Sequence, residues 1–382
     1  MHILHVTPHL PPDQAANALL PWQLGEWAQQ SGDTVEYVAH PPRAAGVTTL
    51  GGPVQWIPRR TDGFVSRTVK LGSVLQAHRI RKALLPALDR ADVVHVHSNG
   101  LLPELAALLA KRAAKPFVLT LYGTEIWHYR RRRFGPDLFT KAYEAASSVT
   151  FYSDRLRAHA EGAGLTRRGM EVIYPPVAPA FVWQDESGQA DARSELGITN
   201  RHLLVNVKRL HPLAGQRHLI EAMSEVVRVH PDTRLVICGT GPLLNELKGI
   251  ARSAGVERHV TFAGLVPNTL VSRYVTAADI FVLPSLLEAL PTVAVEALAC
   301  GTPVVSTDNP GGLELNDVFG PDVAIVPREQ PMALASTIVH FLRNKRRTLP
   351  GTRDSIERSF RAAAAAGQYR EIYQRITTGG AA

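Results

Sequence analysis

Cysteine is nearly absent: Cys238 and Cys300 are the only two in 382 residues. Both sit inside apolar segments, which argues against a disulfide framework and for buried thiols in a reducing compartment. No apolar run reaches the roughly 18 residues needed to span a bilayer. Met1-His2-Ile3-Leu4-His5-Val6 opens directly as a strand, so neither a membrane span nor a signal peptide is expected and the chain reads as cytoplasmic. An Asp-x-Asp metal motif is missing too, and neither a required divalent metal nor a bound cofactor is expected. No nucleic-acid recognition motif accompanies the basic charge, so nucleic acid is not expected as a partner.

What remains is an ordinary soluble composition, 45% hydrophobic and 20% charged, in a chain long enough for two domains with their own cores. The net charge of +8 is uneven, with +7 in residues 1–178 and +1 in residues 179–382. Its densest piece is Arg130-Arg131-Arg132-Arg133, flanked by Tyr129 and Phe134. Two readings stay open: a solvated loop, or a contact with an anionic surface, either the inner face of a membrane or an acidic acceptor.

The most informative stretch runs from Ser285 to Ser306. Before it, Asp279-Ile280-Phe281-Val282-Leu283-Pro284 reads as a buried strand, and Pro303-Val304-Val305-Ser306 as the next. Between them lies one helix, with Pro291 expected at its first position and Gly301 at its left-handed stop. Glu288 then falls in the loop before the helix and Glu296 within it. A helix N-terminus offers unpaired N–H groups and a positive dipole end to an anion such as a diphosphate, while flanking carboxylates suit hydroxyls. A nucleotide-sugar presents both.

Glu288 and Glu296, with seven residues between them and followed by Ala297-Leu298-Ala299-Cys300-Gly301-Thr302-Pro303-Val304-Val305, resemble the signature of family 4 retaining glycosyltransferases of the GT-B fold. The resemblance implies an α/β chain of two doubly wound, Rossmann-like domains facing across a cleft. Residues 1–178 would bind the acceptor and residues 179–358 the nucleotide-sugar, with residues 359–382 a helix returning to the first domain. It further implies that Arg209 and the N–H groups across Leu290, Pro291, Thr292 and Val293 hold the donor diphosphate. Glu288, with Ala289 beside it, would take the hydroxyls of the transferred sugar, and Glu296 the ribose hydroxyls. The turn Gly239-Thr240-Gly241 and the backbone around Leu265 would complete the nucleotide site. Arg209 and Glu288 are the expected catalytic residues.

Several positions depart from the family pattern. The loop after the first strand carries Ala15-Ala16 where relatives have two glycines, and Tyr122 replaces a histidine before Gly123-Thr124. A phenol near pKa ~10 is a poor base at neutral pH. Ala214 stands where relatives carry a lysine that shares the diphosphate with Arg209. Arg217 and His211 are candidates to replace it by proximity, and Lys208 a weaker one because strand alternation turns it away from Arg209. Acceptor contacts are expected from Ala15, Ala16, His97, Tyr122 and Thr124, although His97 also suits a purely structural role. The polar stretch Trp183–Arg193 reads as an exposed connection.

The implied activity is retaining transfer from a nucleoside-diphosphate sugar, its only co-substrate, to an acceptor hydroxyl of a glycolipid, polysaccharide or small metabolite. A UDP-sugar is favoured, with a GDP-sugar as the alternative. Two rival readings are a nucleotide-sugar epimerase of the same shape and a catalytically impaired binding or scaffold protein. The departures at Ala214, Tyr122 and Ala15-Ala16 motivate the second.

Overall fold

Alternation along short apolar runs decides the first sheet. Its strands are β1 (His2–Thr7), β2 (Thr34–Ala39), β3 (Val54–Trp56), β4 (Val93–His97), β5 (Phe117–Leu121), β6 (Ser148–Phe151) and β7 (Met170–Val172). They lie in the order β3-β2-β1-β4-β5-β6-β7, every pairing parallel. Leu4, Val6, Val94, Val96, Leu119 and Leu121 face one side, under helices Leu71–Arg90, Leu101–Arg112 and Leu138–Ala145. Ile3, Val93 and Val118 face the other, under Leu20 and Leu24 of helix Ala16–Gln30 and Tyr369, Ile372 and Tyr373 of helix Ala362–Thr377. Both faces are covered, as a parallel sheet requires. Each fully buried Val, Leu or Phe contributes about 1.5–3 kcal/mol of transfer free energy.

The computed structural model describes residues 1–13, 16–43, 46, 49–59, 71–132 and 135–379. The chain divides into two units, Met1–Pro175 with Ala362–Ala382, and Pro176–Arg361. The second unit holds β8 (His202–Val207), β9 (Thr233–Cys238), β10 (Val260–Gly264), β11 (Ile280–Leu283), β12 (Val304–Thr307) and β13 (Val323–Val326). Their order is β10-β9-β8-β11-β12-β13, again all parallel.

Each sheet reverses direction once, between β1 and β4 in the first and between β8 and β11 in the second. A crevice opens at the carboxyl ends of such a strand pair, because the connections leave on opposite faces. The two reversal points therefore mark where ligands are to be sought.

One expectation is corrected here. Trp183–Arg193 is not an exposed connection, since Glu186–Glu195 is a helix capped by Asp185, whose carboxylate accepts from Ser187 N and Gly188 N. Ala192 is fully buried, and Arg193 ion-pairs with Asp279 at 2.7 Å. The polar face that the sequence shows is a snorkelling arginine and a capping aspartate. Buried Arg347 fastens the same region by donating to the carbonyls of Gln184, Thr276, Ala278 and Cys300.

Candidate active site

At the reversal point of the second sheet, β11 runs into a loop and then the helix Thr292–Ala299. Pro291 is the N-cap, in extended conformation, and not the first helical residue. Having no N–H, it also donates nothing to an anion; the donors at this end are Leu290, Thr292 and Val293. None of these three gives its N–H to a backbone carbonyl among the described residues. Gly301 follows the helix at φ 90°, the left-handed stop expected of it.

Glu288 is held from both ends. Its carbonyl accepts from Gly311 N at 3.0 Å, and its carboxylate Oε1 lies 2.6 Å from Lys208 Nζ. Glu296, on the helix, has neither an ion pair nor a hydrogen bond to its carboxyl among the described residues. Burial without compensation pushes its pKa up to about 8. A carboxyl in that state is an unused hydrogen-bonding group awaiting hydroxyls.

Arg209 is exposed and its guanidinium makes no ion pair among the described residues, so it is available to an anion. Ala214 is buried in the short turn Pro212–Ala214. Of the three cations weighed as substitutes, Arg217 is engaged with Glu246 at 2.6 Å, and His211 accepts from Leu213 N as the cap of that turn. Lys208, ranked lowest on alternation, is the one that reaches Glu288. Alternation misleads because β8 ends at Val207 and Lys208 lies beyond the pleat.

Gly239 and Gly241 serve the backbone. A Cβ at Gly239 would meet Lys208 O at 2.1 Å, and one at Gly241 would meet Leu210 O at 2.2 Å. They let the turn after β9 press against Lys208–Leu210, which fixes the segment carrying both cations. Leu265, 82% exposed just past the end of β10, leaves an apolar surface open. Ala289 and Leu290 complete the loop, with Leu290 buried.

The reversal point of the first sheet holds His5 on β1 and His95 and His97 on β4, all fully buried. His97 Nδ1 lies 2.7 Å from the Tyr122 phenol and its Nε2 3.0 Å from His5 Nδ1. His95 has both ring nitrogens occupied, by Tyr373 and Thr120, each at 2.6 Å. Burial pushes His5 down to about 3 and holds His95 and His97 well below the usual imidazole range, so all three are neutral. His5 Nε2 has no partner among the described residues. A buried lone pair is tolerated better than a buried N–H, which assigns the His5 proton to Nδ1. His5 then donates to His97, and His97 donates to the Tyr122 oxygen. The Tyr122 O–H is left to donate onward, and burial raises its pKa further, so it is no base.

The three imidazoles come close enough to raise the question of a metal. The rings of His95 and His97 stack with centroids 3.9 Å apart, so their in-plane lone pairs run side by side instead of converging. With both His95 nitrogens already bonded, the group does not fit a metal site. Thr124 is exposed at the start of helix Thr124–Trp127. Ala16 begins helix Ala16–Gln30, whereas Ala15 lies outside the described residues, as do Arg133 and Phe134 of the basic run. Arg131 pairs with Glu144 at 3.2 Å, and Arg130 is exposed.

Residues 189–359 match the family model described as "Glycosyl transferases group 1", and residues 22–181 that of "Glycosyltransferase Family 4". Between them they cover both halves of the chain. The chain belongs to glycosyltransferase family 4. A glycosyltransferase of Bacillus subtilis named for teichuronic acid biosynthesis is 28% identical to it over 79% of this chain and 76% of its own length. A GDP-mannose-dependent phosphatidylinositol monomannoside mannosyltransferase of Mycolicibacterium smegmatis is 31% identical over 63% of this chain and 64% of its own. Among solved structures, a sucrose-phosphate synthase from Thermosynechococcus elongatus aligns with TM-score 0.75 at 19% identity, covering 99% of each chain. Anabaena HepE in complex with UDP aligns with TM-score 0.74 at 19% identity, over 98% of this chain and all of its own. At that identity the likeness speaks for the two Rossmann-like halves of the GT-B fold.

For this family 4 glycosyltransferase, which acts on nucleotide sugars, the second unit brings Lys208 onto Glu288 and packs Gly239 and Gly241 against Lys208–Leu210. Lys208 is the weakest candidate of the sequence reading, and three contributors escape it. Gly311 and Gly312 had a readable signal, a Pro-Gly-Gly directly after a strand, because a Cβ at Gly311 would stand 2.7 Å from Glu288 Cβ. Glu125, buried, accepts from Ser98 Oγ at 2.5 Å and Gly123 N at 2.8 Å and so ties the loops after β4 and β5; nothing in its sequence context marks it.

Proposed function

We propose that the chain is a retaining glycosyltransferase that moves a sugar from a nucleoside diphosphate to an acceptor hydroxyl. The observation that carries this is the pair of carboxylates flanking one helix N-terminus at the reversal point: Glu288 paired with a cation, Glu296 half-buried and unpaired among the described residues. Arg209 and the N–H groups of Leu290, Thr292 and Val293 hold the diphosphate. Glu296 takes the ribose hydroxyls, Glu288 those of the transferred sugar, and Leu265 packs on the base. The acceptor oxygen bonds to the anomeric carbon on the face from which the diphosphate leaves. As the carbon–oxygen bond to phosphate breaks, the acceptor proton passes to a phosphate oxygen, and the configuration is retained. No protein base is required, in keeping with Tyr122.

The donor is a UDP- or GDP-sugar. HepE was solved with UDP and with UDP-glucose, and the Mycolicibacterium relative is named for GDP-mannose. The first unit receives the acceptor near Tyr122 and Thr124, while His97, fully buried and bonded at both ring nitrogens, does not make the expected contact and only positions the Tyr122 phenol. Relatives named for teichuronic acid and phosphatidylinositol mannoside support an anionic acceptor, which the basic first half suits. A thermal-shift panel of nucleoside diphosphates and nucleotide-sugars tests the reading, since a ligand that binds only the folded chain raises its apparent stability. A shift with one nucleotide, lost in Glu296→Ala, is expected. No shift across the panel would overturn the donor site and favour the scaffold reading.

A further inference from the structure

The turn that would carry the second phosphate cation is closed to one. Ala214 is 3% exposed, and Gly215 after it adopts φ 67°, where a Cβ would stand 1.9 Å from Pro284 O. Leu286 N donates to Leu213 O at 2.8 Å, so this turn is packed onto the very loop that leads to Glu288. Arg209, which has no ion pair among the described residues, would face, without a second cation from this turn, a diphosphate whose charge rises as the sugar departs.

Lys208 is the first residue beyond β8, on the strand bordering the reversal point. Its backbone is fixed: Lys208 N donates to Cys238 O at 3.0 Å, and Gly239 packs against its carbonyl. Only its flexible side chain can move, and that chain is half-buried with its ammonium on Glu288. An ammonium has three donors, so one can stay on Glu288 while the others turn to a phosphate.

We propose that Lys208 is the second diphosphate cation of this enzyme, delivered from the end of β8 in place of the turn at 214. Before the donor binds, Glu288 holds the ammonium at the crevice. When the diphosphate arrives, Lys208 bridges it to Glu288, which neutralises the carboxylate beside an anionic ligand and orients it toward the sugar hydroxyls. As the anomeric bond breaks, the ammonium offsets the charge developing on the leaving phosphate, where a preorganised cation in a partly water-excluded site acts most strongly.

The inference rests on the donor site proposed above. Its test compares wild type, Lys208→Met and Lys208→Arg, using UDP, UMP and UDP-glucose, or the guanosine set with GDP-mannose, whichever wild type binds. Lys208→Met is expected to lower the kcat of donor turnover, by transfer or hydrolysis, about 100-fold or more. The donor KM should change less than about tenfold, and the preference for the diphosphate over the monophosphate should shrink. Lys208→Arg should recover most of the rate, and both variants should melt within a few degrees of wild type. If Lys208→Met keeps wild-type kcat and the same diphosphate preference, the inference fails while the donor site stands. If both variants lose rate equally together with their stability, Lys208 is only a structural partner of Glu288 and the inference again fails. If wild type binds none of these nucleotides, it is the functional reading that falls.

Discussion

Glu296 turns its burial into a pH dependence. With no partner, its carboxyl is pushed up from an ordinary 4.5 to about 8, so the empty site holds a proton at neutral pH. Accepting two ribose hydroxyls favours the carboxylate, and nucleotide binding at pH 7 should therefore release a proton. Affinity is expected to rise with pH by up to about tenfold per unit below pH 8 and to level off above it. Calorimetry in two buffers of different ionisation enthalpy reads the released proton directly. Glu296→Gln should abolish both the release and the slope; a pH-independent wild type would mean that the neutral acid does the binding.

At the scale of elements, the decisive contacts lie where one segment's backbone meets another's. The helix Pro310–Phe319 carries Gly311 and Gly312 in its first turn, and a Cβ at Gly311 would come within 2.7 Å of Glu288 Cβ and 2.9 Å of Pro291 Cδ. Gly311→Ala is expected to push the Glu288 loop away from Lys208. It should weaken nucleotide binding and destabilise the second unit by about 1–3 kcal/mol, as overpacking does. Denaturant unfolding with and without nucleotide separates the two effects; unchanged nucleotide affinity would mean that the loop relaxes without moving Glu288. β7 and β13 go unread in the sequence, whereas β11 and β12, which flank the Glu288 loop, are readable within a residue because an apolar run bounded by polar residues has few alternatives. Helix Glu186–Glu195 is not, because polar composition says nothing about whether an arginine finds a buried carboxylate.

Across the whole molecule, the buried neutral histidines set the acid limit. His5, His95 and His97 are held below the 6.5 of a free imidazole, His5 to about 3 and His202 in the second unit to about 4. A depressed folded value means that the unfolded chain takes up protons first as pH falls. The stability tied to these groups is thus complete above about pH 6.5 and is lost progressively below it. Glu296 acts in the opposite sense, since its raised value means stability is lost as pH rises from 4.5 to about 8. The unliganded protein should melt markedly lower at pH 5 than at pH 7. Replacing His5 by Phe, which removes one titrating group without opening a cavity, should reduce that difference. If melting is flat from pH 7 to 5, the histidine seam does not govern acid stability.

The family resemblance implied two doubly wound sheets, and the sequence by itself determined the strands on either side of residues 285–302 and the placement of Glu288 before a helix with Glu296 inside it. These are local properties, set by apolar periodicity and by where proline and glycine can stand. The resemblance also pointed to Arg209 for the diphosphate, and the structure leaves it exposed. Only the tertiary structure decided which cation serves Glu288, because Lys208 and Glu288 are 80 residues apart in sequence and meet through strands that become neighbours only when the sheet reverses. The same holds for the histidine seam. Alternation put His95 and His97 on one face, but their partners, His5 and Tyr373, come from the first strand and from helix Ala362–Thr377. Hydrogen-bond partners and burial depend on what packs against a residue, and that is fixed by the topology of the sheet.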